Sequence, residues 1–151
     1  MRTIKFRGKD LDTGEWIYGH FFQRLGHYPT IVEPRPRDGK VMYYEIAVED
    51  TTVGQFIEML DKNGKEIYEG DIIEIKEIGG YGCKRKGVVE YDVEECAFVV
   101  RLLPPSWAGT VRLSTKVQIC SDMNSTCEYI NQYKVIGNIH DNPELLKGGI
   151  K

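Results

Sequence analysis

Two aromatic residues near the start of the chain have the spacing of a binding face. Trp16 and Tyr18 are two positions apart, and a β-strand places such residues on the same side. Exposed aromatic rings stack nucleobases in proteins that bind single strands. More often, rings in this setting anchor a core or an interface with another protein. Trp16 and Tyr18 are therefore candidate binding residues, and both interpretations stay open.

A run of three cations is the second candidate. Lys84, Arg85 and Lys86 follow a glycine-rich segment at residues 79–82, which predicts a mobile basic loop between two strands. Such a loop can contact nucleic acid, because glycine backbone approaches phosphate closely and the positive charges are adjacent. The simpler interpretation is a solvated hairpin end that keeps a sheet edge from aggregating.

Catalytic chemistry has no support in the residue pattern. A hydrolase needs a nucleophile beside a base, and neither Ser106 nor Ser121 has a flanking signature of that kind. The histidines are far apart in sequence, and a His-Asp pair such as His140 and Asp141 is common before a helix cap. We therefore expect a protein that is not an enzyme and has no catalytic residue.

Metal binding has little more support. The carboxylates of Glu69, Asp71 and Glu74 are close in sequence, but Asp71 follows a glycine in a turn, where it would bond backbone amides. The cysteines lack the Cys-x-x-Cys spacing of a zinc site, and no secretion signal favours disulfides. The sequence thus predicts no metal and no cofactor. The four cysteines, which we expect to be free thiols, are Cys83, Cys96, Cys120 and Cys127.

Charge and hydropathy narrow the classes of partner. The formal net charge is −3 and the sequence pI is about 5.7. A protein that lives on nucleic acid usually has a basic surface, so any such surface here would have to be local. No apolar segment follows Met1, and no apolar run approaches the roughly 20 residues that span a bilayer. We expect a cytoplasmic protein without a membrane segment.

Residues 61–75 give the strongest structural signal in the chain. The pair Asn63 and Gly64 predicts a two-residue hairpin turn, in which both residues have positive φ. Gly70 is a second break, and the next five residues alternate as in a strand that enters a small β-barrel. In that strand Ile73 and Ile75 share one face.

The remaining predicted strands share β-branched and aromatic residues between turn signals. They cover a hairpin at residues 4–22, a short strand at 30–32, and strands at 41–48, 88–91, 97–102, 111–119 and 133–140. Three prolines otherwise predict a loop over residues 25–40, and its cations predict a solvated surface.

Residues 50–60 fit two structures. One is a short helix capped by Thr51 or Thr52, and the other is a strand that begins near Val53 and is kinked at Gly54. The hairpin turn that follows favours the strand, because such turns join two strands.

The predicted fold is mainly β, with one or two small SH3-like β-barrels and a short C-terminal helical turn. The turn begins after Asp141 or Asn142, and Pro143 stands where a missing N–H costs nothing. At 151 residues the chain is one domain, with the option of two sub-barrels that meet near residues 50–65.

Three segments together resemble the YopX family, which is known mainly from bacteriophages and prophages of Gram-positive bacteria. The first joins Ile-Lys-Phe-Arg-Gly-Lys at residues 4–9 with Gly-Glu-Trp-Ile-Tyr-Gly at 14–19. The second joins Val-Gly-Gln-Phe at 53–56 with Asp-Lys-Asn-Gly-Lys-Glu-Ile-Tyr-Glu-Gly-Asp-Ile-Ile at 61–73. The third is Val-Ile-Gly-Asn-Ile-His-Asp-Asn-Pro-Glu-Leu-Leu at 135–146.

The resemblance implies a phage-encoded cytoplasmic protein with a β-rich, barrel-like fold. It carries over no catalytic residue, because the matching residues are glycine, asparagine, aspartate and apolar types that turns and cores need. The working hypothesis is a non-enzymatic accessory protein that acts by protein interaction or self-assembly through strand edges and aromatic faces. The alternative is nucleic-acid binding through the basic residues 84–86.

Overall fold

A computed structural model describes residues 3–76, 84–103, 110–113 and 133–147, and in these the protein is mainly β, as predicted. Single turns of 3₁₀ helix occur at Asp50–Thr52 and Pro143–Leu146. The strands are β1 (Phe6–Lys9), β2 (Trp16–Phe22), β3 (Thr30–Arg37), β4 (Lys40–Ala47), β5 (Gly54–Leu60), β6 (Glu66–Tyr68), β7 (Asp71–Lys76), β8 (Lys84–Asp92), β9 (Ala97–Leu103), β10 (Thr110–Arg112) and β11 (Tyr133–Asn138).

The chain forms two compact units, Met1–Glu58 and Met59–Lys151, and passes from one to the other within β5. The first sheet has the strand order β4-β3-β2-β1-β5-β6, and the second has the order β10-β9-β8-β7-β11. Both sheets are antiparallel. Each order has two end strands, so the described pairings form open sheets, and the SH3-like barrel stays a prediction.

The hairpin of β1 and β2 is confirmed, together with its two faces. Burial alternates along β2, so that Ile17 is buried and Tyr18 is exposed. Ile17 forms a core with Ile31 and Val48, and Phe6 and other partly buried side chains pack against it. This pattern is the period-two alternation that the sequence carries.

Residues 25–40 depart most from the prediction. In place of a proline-rich loop, β3 and β4 form an eight-residue hairpin ladder from Thr30 opposite Ala47 to Arg37 opposite Lys40. Its turn is Asp38-Gly39, with φ of 51° and 73°. Positive φ at both positions is the type I′ geometry that matches the twist of two strands.

The ladder from β2 to β3 ends at Val32, and a proline explains why. Alternate residues of a strand direct their N–H groups to opposite neighbouring strands. After Val32, the next residue of β3 whose N–H would face β2 is Pro34. Proline has no N–H, so β3 continues with β4 as its only described partner. The hairpin beyond Val32 is thus a two-stranded arm.

For residues 50–60 the strand is confirmed, as β5. A single 3₁₀ turn at Asp50–Thr52 precedes it, where the alternative had placed a longer helix. The irregular position is Glu58, with a φ of 60°, rather than Gly54.

The turn at residues 61–65 differs in type from the prediction. Among its residues only Gly64 has positive φ, at 82°, and Asp61 N–H donates to the Lys65 carbonyl at 2.7 Å. This is a three-residue hairpin loop, in which a left-handed glycine follows a type I turn. Asn63 takes an ordinary φ because the loop is one residue longer than predicted.

The carboxylate of Asp61 joins this turn to a distant strand. Asp61 is 4% exposed. Its Oδ1 accepts the N–H groups of Asn63 (2.7 Å) and Lys65 (2.9 Å), and its Oδ2 accepts that of Val135 (3.1 Å). Burial raises the pKa of Asp61, but these three donors lower it by more, so the pKa lies below its ordinary value.

The second unit has its own apolar core. Ile72 and Ile73, neighbours in β7, are both fully buried, so this strand is covered on two faces where it begins. Four more fully or almost fully buried residues of this unit come from β8 and β9: Val89, Val99, Val100 and Leu102. At its end the predicted helical turn is confirmed, with proline in its first position, but Leu145 and Leu146 are only partly buried.

We predict that Asp61→Asn lowers the free energy of unfolding by about 2–4 kcal/mol, because a buried charged acceptor of three N–H groups is lost. A carboxyl whose pKa is lowered by folding stabilises the protein above its unfolded-state pKa and loses that effect as pH falls through the folded-state value. The difference between wild type and variant should therefore be full near pH 7 and shrink below about pH 4. Urea unfolding at several pH values measures it.

The control is Asp12→Asn, which changes an exposed carboxylate in the turn between β1 and β2. Equal urea midpoints for the two variants at pH 7 would contradict the role given to Asp61.

Candidate interaction surface

Trp16 and Tyr18 lie on the outer face of β2, and cations of residues 5–9 cover part of both rings. The guanidinium carbon of Arg7 lies 4.6 Å from the ring centroid of Trp16, and Lys9 Nζ lies 5.5 Å from it. Lys5 Nζ lies 5.9 Å from the ring of Tyr18. The register explains this, since Trp16 is opposite Lys9 and Tyr18 is opposite Arg7.

These contacts reduce the ring surface that Trp16 and Tyr18 can offer to a ligand. Trp16 is half-buried, Tyr18 is 40% exposed and Arg7 is 5% exposed. A ring that already has a cation on one face offers less surface to a stacking base. The arrangement fits the anchoring interpretation better than the stacking one.

The basic residues 84–86 are in a strand and not in a loop, which corrects their predicted placement. They begin β8 and pair with β7, Lys84 opposite Lys76, Arg85 opposite Ile75 and Lys86 opposite Glu74. Neighbouring strand positions face opposite sides of a sheet, so Arg85 and Lys86 do not share a surface. Lys86 Nζ donates to the Leu145 carbonyl at 2.7 Å. The glycine-rich residues 79–82 lie outside the described residues.

Among residues 3–76, 84–103, 110–113 and 133–147 no group of three or more His, Cys, Asp or Glu side chains could hold a metal ion. Cys96 is an exposed free cysteine with a φ of 50°. Outside the described residues lie the other three cysteines, at positions 83, 120 and 127, and the serines at positions 106 and 121. Within the described part, no helix has the length and apolar character needed to cross a membrane.

The outer edge of β4 is the most unusual surface of the first unit. β4 ends its sheet, and no other described strand pairs with its outer side. Three of its side chains are large, apolar and exposed: Val41 (56%), Met42 (45%) and Tyr43 (65%). An edge strand with such residues is a template for pairing with another chain.

The direction of the β4 backbone groups follows from the register. Pro34 is opposite Tyr43 and Pro36 is opposite Val41, and proline has no N–H to give to β4. Pairs alternate along an antiparallel ladder, so the residues at odd positions of β4 direct N–H and C=O away from β3. Two bonds agree: Val48 N–H donates to the Pro29 carbonyl, and the Ala47 carbonyl accepts from Leu11 N–H.

The two edges of the arm therefore differ. On the β3 side, Pro34 and Pro36 occupy the outward positions, so that edge has no donors there to offer. On the β4 side, Val41, Tyr43 and Glu45 present both donors and acceptors. The sequence does not predict this edge, because the prolines indicate a loop, although Asp38-Gly39 is a hairpin signal.

Comparison with known proteins gives a family and a fold. The profile of the family described as "YopX protein" matches residues 5–147. A solved structure, "Crystal structure of protein EF1440 from Enterococcus faecalis", is similar over 97% of this chain and 100% of that chain, with 22% sequence identity and a TM-score of 0.54. A likeness at that identity shows the fold alone. No curated protein matches the chain.

We predict that Lys86→Met lowers the free energy of unfolding by about 1 kcal/mol and loosens the C-terminal turn, because the bond to the Leu145 carbonyl is lost. Hydrogen exchange of residues 143–147 and urea unfolding check both effects. Lys134→Met, at an exposed position of β11, is the control. Equal exchange in the two variants would show that Lys86 has no structural role.

Proposed function

We propose that this protein, which belongs to the YopX family, acts without catalysis by pairing the outer edge of β4 with a strand of another protein chain. The observation that carries the proposal is the open edge itself, with outward backbone groups and exposed apolar side chains on one strand. In keeping with the family resemblance, we place this activity in an accessory protein of a phage or prophage, acting in the bacterial cytoplasm.

The energetics of the edge allow weak pairing with a partner strand. An added strand would bond the N–H and C=O groups of Val41, Tyr43 and Glu45, about six hydrogen bonds at about 1 kcal/mol each. Cross-strand contacts of the exposed side chains add about 0.2–1 kcal/mol per pair. Association costs about 4–15 kcal/mol, so an edge of this size supports weak binding that depends on concentration.

A second copy of the chain is the simplest partner. In an antiparallel pair of identical strands, a two-fold axis normal to the sheet keeps each side chain on its own face. Only registers centred on a residue satisfy this condition. An axis at Tyr43 places Met42 opposite Tyr44, and an axis at Met42 places Val41 opposite Tyr43. Both registers pair apolar or aromatic side chains.

Charge also favours the antiparallel arrangement. Lys40 stands at one end of β4 and Glu45 stands near the other. Antiparallel pairing separates the two copies of Lys40 and the two copies of Glu45, whereas parallel pairing in register would place like charges side by side. Antiparallel self-association therefore places no like charges of β4 opposite each other.

Nucleic-acid binding through residues 84–86 has weaker support. The strand placement divides Arg85 and Lys86 between two faces of the sheet. Lys86 also has a hydrogen bond within the protein. A mobility-shift assay at low salt checks this second function, since phosphate contacts weaken as salt rises.

We predict that the protein self-associates at micromolar concentrations and that Tyr43→Lys abolishes the association while the fold is kept. The added charge stands at the centre of the edge, where two copies would bring two ammonium groups together. Sedimentation equilibrium measures the association, and circular dichroism with thermal unfolding checks the fold.

The matched control is Tyr91→Lys. Tyr91 is 47% exposed, but its strand, β8, lies inside a sheet and has a partner on both sides. A wild-type chain that stays monomeric at all accessible concentrations would rule out the self-association form of the proposal. Equal weakening by both variants would show that the edge is not the contact.

A further inference from the structure

A small cup on the first unit has the chemistry of a ligand site. Its floor is a row of three neighbouring residues across the sheet, with Phe22 opposite Thr30 and Thr30 opposite Ala47. The side chains of Thr30 and Ala47 are smaller than that of Phe22, so the surface has a depression beside the aromatic ring. The cavity has a volume of about 210 Å³ and is also lined by Arg24, His27, Tyr28 and Glu45.

The wall of the cup comes from the loop between β2 and β3. The guanidinium carbon of Arg24 lies 5.1 Å from the ring centroid of Phe22. His27 N–H donates to the Arg24 carbonyl at 3.1 Å, which fixes the turn of the loop. Phe22 is 42% exposed and Tyr28 is 67% exposed, so two aromatic rings bordering one cavity are open to water.

Two opposite charges in the cup have no ion pair within the described part of the chain. Arg24 and Glu45 both line the cavity, and the ion pairs of this unit involve other residues. Arg24 would repel a ligand that has only a positive charge, and Glu45 would repel a ligand that has only a negative charge. The pair favours a guest that has an anionic group and also a hydrogen-bond donor.

We propose that this cup binds a nucleotide whose base has an exocyclic amino group, such as cytosine. The base stacks on Tyr28 or on the face of Phe22 opposite Arg24, its amino group donates to the Glu45 carboxylate, and Arg24 contacts the phosphate. A cavity of 210 Å³ is below the roughly 300 Å³ of typical ligand pockets, so it encloses the base alone, and the sugar lies at its opening. The site is independent of residues 84–86.

The alternative guest is an arginine side chain of a peptide. It would stack on the same rings and pair with Glu45. The guanidinium of Arg24 is already beside Phe22, and it would repel a second guanidinium in a cavity of this size. The charges therefore favour the nucleotide.

Calorimetric titration of the full chain with CMP and UMP at low salt tests the proposal. We expect saturable binding of CMP with a dissociation constant on the order of 1 mM or lower. UMP presents a carbonyl where CMP has its amino group, so it should bind about tenfold more weakly. Absence of saturable CMP binding would overturn the proposal.

Two variants assign the contacts. Phe22→Ala should weaken the binding of both nucleotides about tenfold or more, because it removes a stacking surface. Glu45→Gln should remove the preference for CMP over UMP, because an amide side chain can serve either base. Tyr91→Ala, at an aromatic residue of similar exposure in the second unit, should change neither.

The outcomes separate the sources of the nucleotide. A single-stranded cytidine pentanucleotide that binds much more tightly than CMP indicates a site for a nucleic-acid strand, and equal affinities indicate a site for free nucleotide. Binding that neither Phe22→Ala nor Glu45→Gln alters would overturn the assignment to this cup. Binding of an arginine-containing peptide without binding of CMP would overturn the ligand class.

Discussion

One buried carboxylate links a turn of the second unit to β11. Asp61 accepts two N–H groups of its own turn and one from Val135, a residue 74 positions further along the chain. Beside it, Lys62 N–H donates to the Tyr133 carbonyl at 2.9 Å. A charged acceptor in a buried place is costly unless it is fully bonded, so the turn and β11 stabilise each other. The local turn and the distant strand pairing thus form one cooperative unit.

The first unit is organised differently, because much of it is an arm rather than a core. Ile17, Ile31 and Val48 form a small buried apolar cluster in it. Beyond Val32, the hairpin of β3 and β4 has only itself as a described partner. Such a hairpin gains stability from its ladder and its turn, and it leaves apolar side chains in water. Exposed apolar surface of this kind marks an interaction site more often than it serves stability.

The sequence predicted the elements whose signals are local and mutually consistent. The hairpin of β1 and β2 has alternation and a glycine turn, and both were read correctly. At residues 33–40 two signals conflict: the prolines predict a loop, and Asp38-Gly39 predicts a hairpin turn. The structure has the hairpin. Prolines are allowed in a strand where their missing N–H would point outward, and that condition depends on pairing that a single sequence does not reveal.

The candidate sites were harder to predict, because they depend on which residues become neighbours. Trp16 and Tyr18 are candidates by residue type, but the cations that cover them come from β1 and from Lys5, which precedes it. Residues 84–86 looked like one basic patch in sequence, whereas strand geometry directs adjacent side chains to opposite faces. The cup has no sequence signal because its floor takes one residue from each of three strands.

The edge of β4 and the cup share one residue, and this has a physical consequence. Glu45 offers its backbone to a partner strand and its carboxylate to the cavity. A strand added at the edge would lie beside the cup and restrict the side chain of Glu45. Coupling between two sites is reciprocal, so whatever edge pairing does to nucleotide affinity, the nucleotide must do to edge pairing. The two surfaces therefore behave as one linked system if both are occupied.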